Sequence, residues 1–481
     1  MKKRLIALLL ACMLLMSAAV FAETTVSVTG TREAALPESI TDLNVNWFPA
    51  AAGCRCVMTW RANGNEYEAA INGLGQPLTD EQLSQLLYAW STRSRAVIEG
   101  DVVDAEKFTN RLSWDTGDWL VTDTEERRQE MWGDSSMCWA AATANMLWST
   151  GWARKAVDPL TGEPFTGEDD VFALFRNHFL NNGGWSDHGV RWFFTGEIRD
   201  LDLRERWTDH NTTQVEGFDP AALLHGTLDQ SNPSHTEPAA MAEFVSIARR
   251  IRNGAAVGMS IGFNEEYYHM PGNDNDTVCW SEQLQSFART EVLDVTGAEC
   301  RYGAYCFDDD GNPMPLTEQK DGSFTDENGS VVDRLWVLNG YLYNRGGNWL
   351  KAEPFSEDSL LVTDEIPVAE DAFDHTRVTR PETASHQHAV TLTGYVMNLS
   401  AADPGDMIEA VFIANSDDNG SLWRIDPDTP DRAHRPNIYQ MYPVSVHSCD
   451  GGAEMRTLCL EQFMPHKLTL INNMVALDAA E

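Results

Sequence analysis

Positive charge is scarce in this sequence: 35 lysines and arginines stand against 73 aspartates and glutamates over 481 residues, a formal net charge of -38 at pH 7. A chain this acidic has no basic face to offer a phosphate backbone or an anionic bilayer, so nucleic-acid and anionic-membrane binding are excluded as functions. The acidity itself speaks to solubility and association, not to fold. Beyond the amino terminus no stretch approaches eighteen uninterrupted apolar residues, so no membrane span is expected. Cys-x-x-Cys is absent, which removes the usual zinc-ligand spacing. The acidic loops Asp308-Asp309-Asp310-Gly311-Asn312 and Asp326-Glu327-Asn328-Gly329 lack the spacing and terminal glutamate of an EF-hand and read as solvated turns. No metal and no cofactor is expected, and the chain contains neither an internal repeat nor a long low-complexity tract.

What is present begins at the amino terminus. Lys2, Lys3 and Arg4 precede an apolar run from Leu5 to Met16 and small residues ending in Val20-Phe21-Ala22. That order marks a secretory signal over residues 1–22, with cleavage after Ala22 and a secreted, extracellular product. The remainder exceeds one ordinary domain, so a large core with at least one appended or inserted unit is expected. Of the nine cysteines, Cys12 falls in the signal. Keeping Cys138 as a thiol leaves Cys54, Cys56, Cys279, Cys300, Cys306, Cys449 and Cys459, an odd number, so a second cysteine is unpaired or bridges to another chain. Cys300 with Cys306 and Cys449 with Cys459 are close enough in sequence to be candidate pairs.

Residues 23–105 read as a unit of their own, either an accessory module or an inhibitory pro-segment. Val57–Trp60 and Glu66–Ile71 flank Asn63-Gly64, a hairpin signal. Thr79 with Gln82 makes a capping box ahead of Leu83, Leu86, Leu87 and Trp90 on one helix face. Residues 106–481 form the expected catalytic domain. Its first helix is Cys-Trp-Ala-Ala-Ala-Thr-Ala-Asn-Met-Leu-Trp, capped by Ser135 or Ser136 and closed by Gly151, with Cys138 in the first turn. A second helix, Ala240–Arg252, leads into an apolar strand over 255–261. Late strands follow at Ala389–Tyr395 and Ile408–Ala414. From about 264 to 384 the chain turns rich in Asp, Gly and Asn and reads as a β-rich insertion. Helices early and strands late indicate an α+β fold.

Three residues carry the candidate chemistry. A cysteine at a helix N-terminus is biased toward thiolate by the helix dipole, and a neighbouring imidazolium extends the effect. His388 opens the strand His-Ala-Val-Thr-Leu-Thr-Gly, where a ring is held rigidly. Asn415 follows Ala410-Val411-Phe412-Ile413-Ala414, from where its amide oxygen could reach His388 Nδ1 and leave Nε2 toward sulfur. The Cys138 backbone amide and the Gln129 side chain are the candidate oxyanion donors.

Met137–Leu147 resembles the nucleophile helix of the streptococcal immunoglobulin G-degrading cysteine endopeptidases, the Mac or IdeS-like family. Gly184-Trp185-Ser186-Asp187-His188 with Phe193–Gly196, Gly254–Phe263, His388–Gly394 and Phe412–Asp417 are similar to further motifs of that family, over most of residues 125–481. The resemblance implies a papain-like fold, a bacterial exported protease, Cys138 as nucleophile and His388 as base. Asn415 stands where the family usually has aspartate, and Gln129 where it has its oxyanion lysine. Both departures are in the papain-like direction. Asp417 matches a second family acid and is a candidate supporting residue. The N-terminal unit and the 264–384 insertion have no counterpart, so immunoglobulin as the protein substrate is an implication of likeness alone. The expectation is a cysteine endopeptidase working through a Cys-His-Asn triad. Two alternatives are a non-catalytic module binding a host or surface protein on the same scaffold, and a transglutaminase-like acyltransferase.

Overall fold

A computed structural model of the chain describes residues 24–28, 36–105, 107, 136–159, 161–179, 183–196, 219–226, 238–265, 267–378 with interruptions, 386–416, 437–448, 456–464 and 467–480. The signal segment lies outside the described residues. The chain opens with β1 (Thr25–Val28), β2 (Ile40–Pro49), β3 (Cys54–Ala62), β4 (Asn65–Leu74), helix α1 (Asp80–Ser91) and β5 (Ala96–Gly100). The β3–β4 hairpin turns on Asn63 and Gly64, both at positive φ (50° and 82°), the twist that a two-residue turn needs between right-twisted strands. The capping box at Thr79 and Gln82 forms in both directions, and Leu83, Leu86 and Leu87 are buried beneath α1.

Helices α2 (Cys138–Ser149), α3 (Glu168–His178) and α4 (Ser186–Thr195) follow, then a short strand β6 (Leu224–Gly226), α5 (Pro238–Arg249) and β7 (Ala256–Glu265). Among the described residues ten further strands, β8 to β17, run between Tyr267 and Val378 and form a separate antiparallel sheet. These strands fall within the stretch 264–384. The chain then returns with β18 (His386–Asn398), β19 (Ile408–Ala414), β20 (Asn437–Ser448), β21 (Arg456–Met464) and β22 (Lys467–Leu477).

The pairings correct the expected fold. Strand β7 pairs with β18, β18 with β19, β19 with β20, β20 with β21, β21 with β22, and β22 returns to β7, every pair antiparallel. The body is therefore a closed six-stranded antiparallel barrel in a mainly β protein, and the α+β papain-like architecture does not describe it. Residues on alternate barrel positions, among them Met259, Ile261, Val390, Leu392, Val411, Ile413, Leu458, Leu460 and Ile471, make one buried cluster with Phe244 and Ile247 of α5.

Residues 24–105 share this framework. Beyond the stretch where β18 lies against β7, β4 takes β7's place, with Gly394 opposite Ile71 and Asn398 opposite Tyr67. Strand β5 pairs with β20 in the same manner, ahead of β21. The five N-terminal strands, together with β6 on β22, thus extend the barrel's own sheet to twelve strands among the described residues. Gly394 is required at this junction, since a Cβ there would fall 2.6 Å from the Ala70 carbonyl oxygen and 2.9 Å from Phe412 Cδ2.

The structure also removes one candidate disulfide. Cys300 and Cys306 lie at opposite ends of β11 (Cys300–Phe307); six residues of extended chain separate them by about 20 Å, beyond any disulfide. Cys449, the other candidate partner of Cys459, lies outside the described residues.

Candidate active site

Helix α2 begins at Cys138 itself. Met137 occupies the N-cap position and makes no side-chain bond there; Ser136 precedes it, and Ser135 lies outside the described residues. Gly151 at φ 82° closes it, as a left-handed C-terminal glycine should. With alanine at four of its positions, α2 is buried on nearly every face. Trp139 packs edge-on to Phe175 and Phe179 at centroid distances of 5.7 and 5.4 Å. At Gly189 of α4 a Cβ would meet Thr143 Oγ1 at 2.6 Å. Close packing on α3 and α4 leaves the first turn of α2 aimed at the barrel.

The barrel offers a break in its ladder at this point. Strand β19 runs beside β18 only from Thr391 opposite Ala414 onward, whereas on the other side β7 stays paired back to His386. Ahead of Thr391, the Ala389 N–H therefore has no β19 partner, and it donates to Cys138 Sγ at 3.4 Å. Asn415 is the first residue past β19; it is buried, and its Oδ1 lies 2.7 Å from His388 Nε2. An amide oxygen can only accept, so Nε2 carries the proton and Nδ1 is the nitrogen left to the thiol, which hydrogen-bonds to the ring. The sequence-based expectation had the two nitrogens the other way round.

Burial alone would push the Cys138 thiol upward. The His388 charge and hydrogen bond, the Lys107 charge and the Ala389 N–H outweigh it, and the thiol falls from 9.0 to about 7. At Cys54 and Cys56 burial is instead reinforced by charge, from Asp101 and from Cys54 respectively, and the two thiols are pushed up to about 11 and about 12. Cys138 thus differs from these two cysteines by its neighbours, which is the condition for a reactive thiolate.

Cys138, His388 and Asn415 are brought together. The Cys138 N–H, at the first helical position, has no acceptor within its helix and lies beside the sulfur, where an oxyanion would form. Gln129 and Asp417 lie outside the described residues. Among those residues, no group of three or more histidines, cysteines, aspartates or glutamates could hold a metal ion, and no helix is long and apolar enough to cross a membrane.

Sequence reasoning missed the segment that follows β5. Val103 N donates to Tyr439 Oη (3.1 Å) and Asp104 Oδ2 accepts from Ile438 N (3.1 Å), both on β20. Ala105 N donates to Asn145 Oδ1 of α2 at 2.7 Å, and Asn145 Nδ2 donates to Thr391 Oγ1 of β18 at 3.1 Å. Lys107 N donates to the Ser416 carbonyl, next to Asn415, at 3.3 Å. This strap is tied in turn to the elements that carry all three site residues. Asp104-Ala105-Glu106-Lys107 has no motif character, and only its place at a unit boundary could have marked it.

No protein-family model, curated protein or solved structure matches the chain.

Proposed function

We propose that the chain is an exported cysteine endopeptidase that hydrolyses protein substrates through Cys138, His388 and Asn415, with immunoglobulin as the first candidate substrate. The observation that carries the reading is the continuous contact from sulfur to imidazole to amide, with the thiol near 7. In the proposed cycle His388 Nδ1 takes the thiol proton and the thiolate attacks the scissile carbonyl carbon. The carbonyl oxygen then becomes an oxyanion facing the Cys138 N–H. Collapse of this intermediate breaks the C–N bond, the departing amine takes the proton from His388, and a thioester remains. Water, losing a proton to His388, attacks the thioester; the acid leaves and the thiol is restored. Asn415 holds the ring so that one face of this proton traffic stays aligned.

Support for immunoglobulin is the resemblance of Met137–Leu147 and its companion segments to the antibody-degrading family, and secretion rests on residues 1–22. The test is incubation of the protein and of Cys138→Ala with IgG, IgA, IgM and denatured casein, read by mass spectrometry. New termini that appear with the wild type and not with the variant are expected. Equal cleavage by both would sink the proposal, and amine incorporation without hydrolysis would turn it to acyl transfer.

A further inference from the structure

We propose that Lys107 is a positioning residue of this site: carried in by the strap from the N-terminal strands, its buried side chain places a second cation, besides His388, against the Cys138 thiolate. The inference rests on reading Cys138 as the nucleophile and adds to the triad a charge that no motif marks.

Lysine is a costly residue to bury, because its ammonium surrenders hydration unless the protein supplies opposing charge or acceptors. Lys107 is nevertheless only 5 % exposed. Its backbone position is fixed from both sides: two residues earlier the chain is bonded to Asn145 on the helix of the nucleophile, and its own N–H is bonded to Ser416, the neighbour of Asn415. Asn145 also holds Thr391, three residues along β18 from His388. The lysine thus arrives on a scaffold already shared by all three site residues, close enough for its charge to act on the sulfur. A thiolate there faces the imidazolium from β18, the Ala389 N–H, the amino end of α2 and the Lys107 ammonium. Each favours the ionised sulfur over the thiol. Removing the lysine leaves burial less opposed, and the thiol should hold its proton to higher pH.

The chemistry can be read without a substrate. The full-length protein is alkylated with iodoacetamide from pH 5 to 10, and the Cys138 peptide is quantified by mass spectrometry, with Cys54 and Cys56 as slow internal references. The wild-type midpoint should lie near 7. In Lys107→Met it should rise by about one unit, which slows alkylation at pH 6 about tenfold, while Lys107→Arg stays within about twofold of wild type. A Lys107→Met protein that melts like the wild type and keeps its midpoint overturns the inference. Should Lys107→Met not melt cooperatively, Lys107→Gln and Lys107→Arg are compared, and coincident profiles overturn it equally. Peptide cleavage followed in parallel separates the two claims. A Cys138 that responds to Lys107 in a protein that cuts nothing sinks the proposed function and leaves the electrostatic role standing. Cleavage with no response to Lys107 does the reverse.

Discussion

Asn145→Leu removes the amide that joins the strap, the nucleophile helix and the histidine strand while keeping side-chain size. Asn145 is 1 % exposed, so water cannot replace what it provides. Its Oδ1 accepts from Ala105 N at 2.7 Å and its Nδ2 donates to Thr391 Oγ1 at 3.1 Å. A buried backbone N–H stripped of its acceptor costs roughly 1–3 kcal/mol, and loss of a neutral hydrogen bond to the Thr391 hydroxyl adds about 1 kcal/mol. The Thr391 hydroxyl retains the Ala142 carbonyl at 3.5 Å, which keeps that second loss small. The expected total is about 2–4 kcal/mol. A chain of this length shifts by about 2 °C per kcal/mol, at the shallow end of the usual scale. A fall in melting temperature of roughly 4–8 °C follows, measured by tryptophan fluorescence or calorimetry. Because the strap also seats Lys107 and Ser416, Cys138 alkylation should slow at neutral pH in the folded variant. A variant within about 1 °C of wild type would refute the view that this amide ties the three elements together.

Three other outcomes are expected. His388→Gln removes the strongest group that lowers the Cys138 thiol; a midpoint moved from about 7 to between 8 and 9 cuts the thiolate at pH 7 about five- to fiftyfold. Iodoacetamide kinetics should slow in proportion, and an unchanged rate would count against the pairing. Gly394→Ala drives a Cβ against the Ala70 carbonyl oxygen and Phe412 at the junction of β4 with the barrel, and a loss of about 1–3 kcal/mol in denaturant unfolding is expected. Glu168 accepts from Asp104 N and Asn437 Nδ2 (3.3 and 3.0 Å), and burial, helped by Asp169 and Asp101, pushes its carboxyl up to about 7. A carboxyl raised on folding favours the folded state most fully below 4.5 and loses that contribution as pH rises through about 7. Glu168→Gln should therefore flatten the decline in melting temperature between pH 5 and 8; an unchanged slope would assign that decline to other groups.

Local structure was largely legible in the sequence. Thr79 and Gln82 announced α1, Asn63-Gly64 announced the β3–β4 turn, and the apolar runs after His388 and Asp406 announced β18 and β19. The candidate site was legible because the residues proposed for it each sit at an element boundary: Cys138 at the start of a helix, His388 near the start of a strand, Asn415 just past the end of one. What was hidden is long-range pairing. Nothing near Ala256 or Leu477 shows that β7 and β22 will close a barrel, because a ladder depends on backbone groups that every residue carries. No element is expected from the sequence over residues 437–477, which supply three barrel strands. The nitrogen order on His388 was hidden for a related reason: it depends on which side of the ring β19 ends, a matter of register. Lys107 stayed hidden because burial of a lysine is decided by partners far away in sequence.

The double pairing of β18 and β20 bears on any maturation of this protein. Strands β4 and β5 are held to the barrel by ladders at Gly394–Asn398 and Asn437–Met441, and the strap adds bonds to α2 and to the carbonyl of Ser416. A protease cutting the chain between Lys107 and Ser136 would therefore release nothing. Residues 24–107 would stay behind as a non-covalent chain, visible as two bands on a denaturing gel and one species in native mass spectrometry, with Lys107 N still bonded to the Ser416 carbonyl.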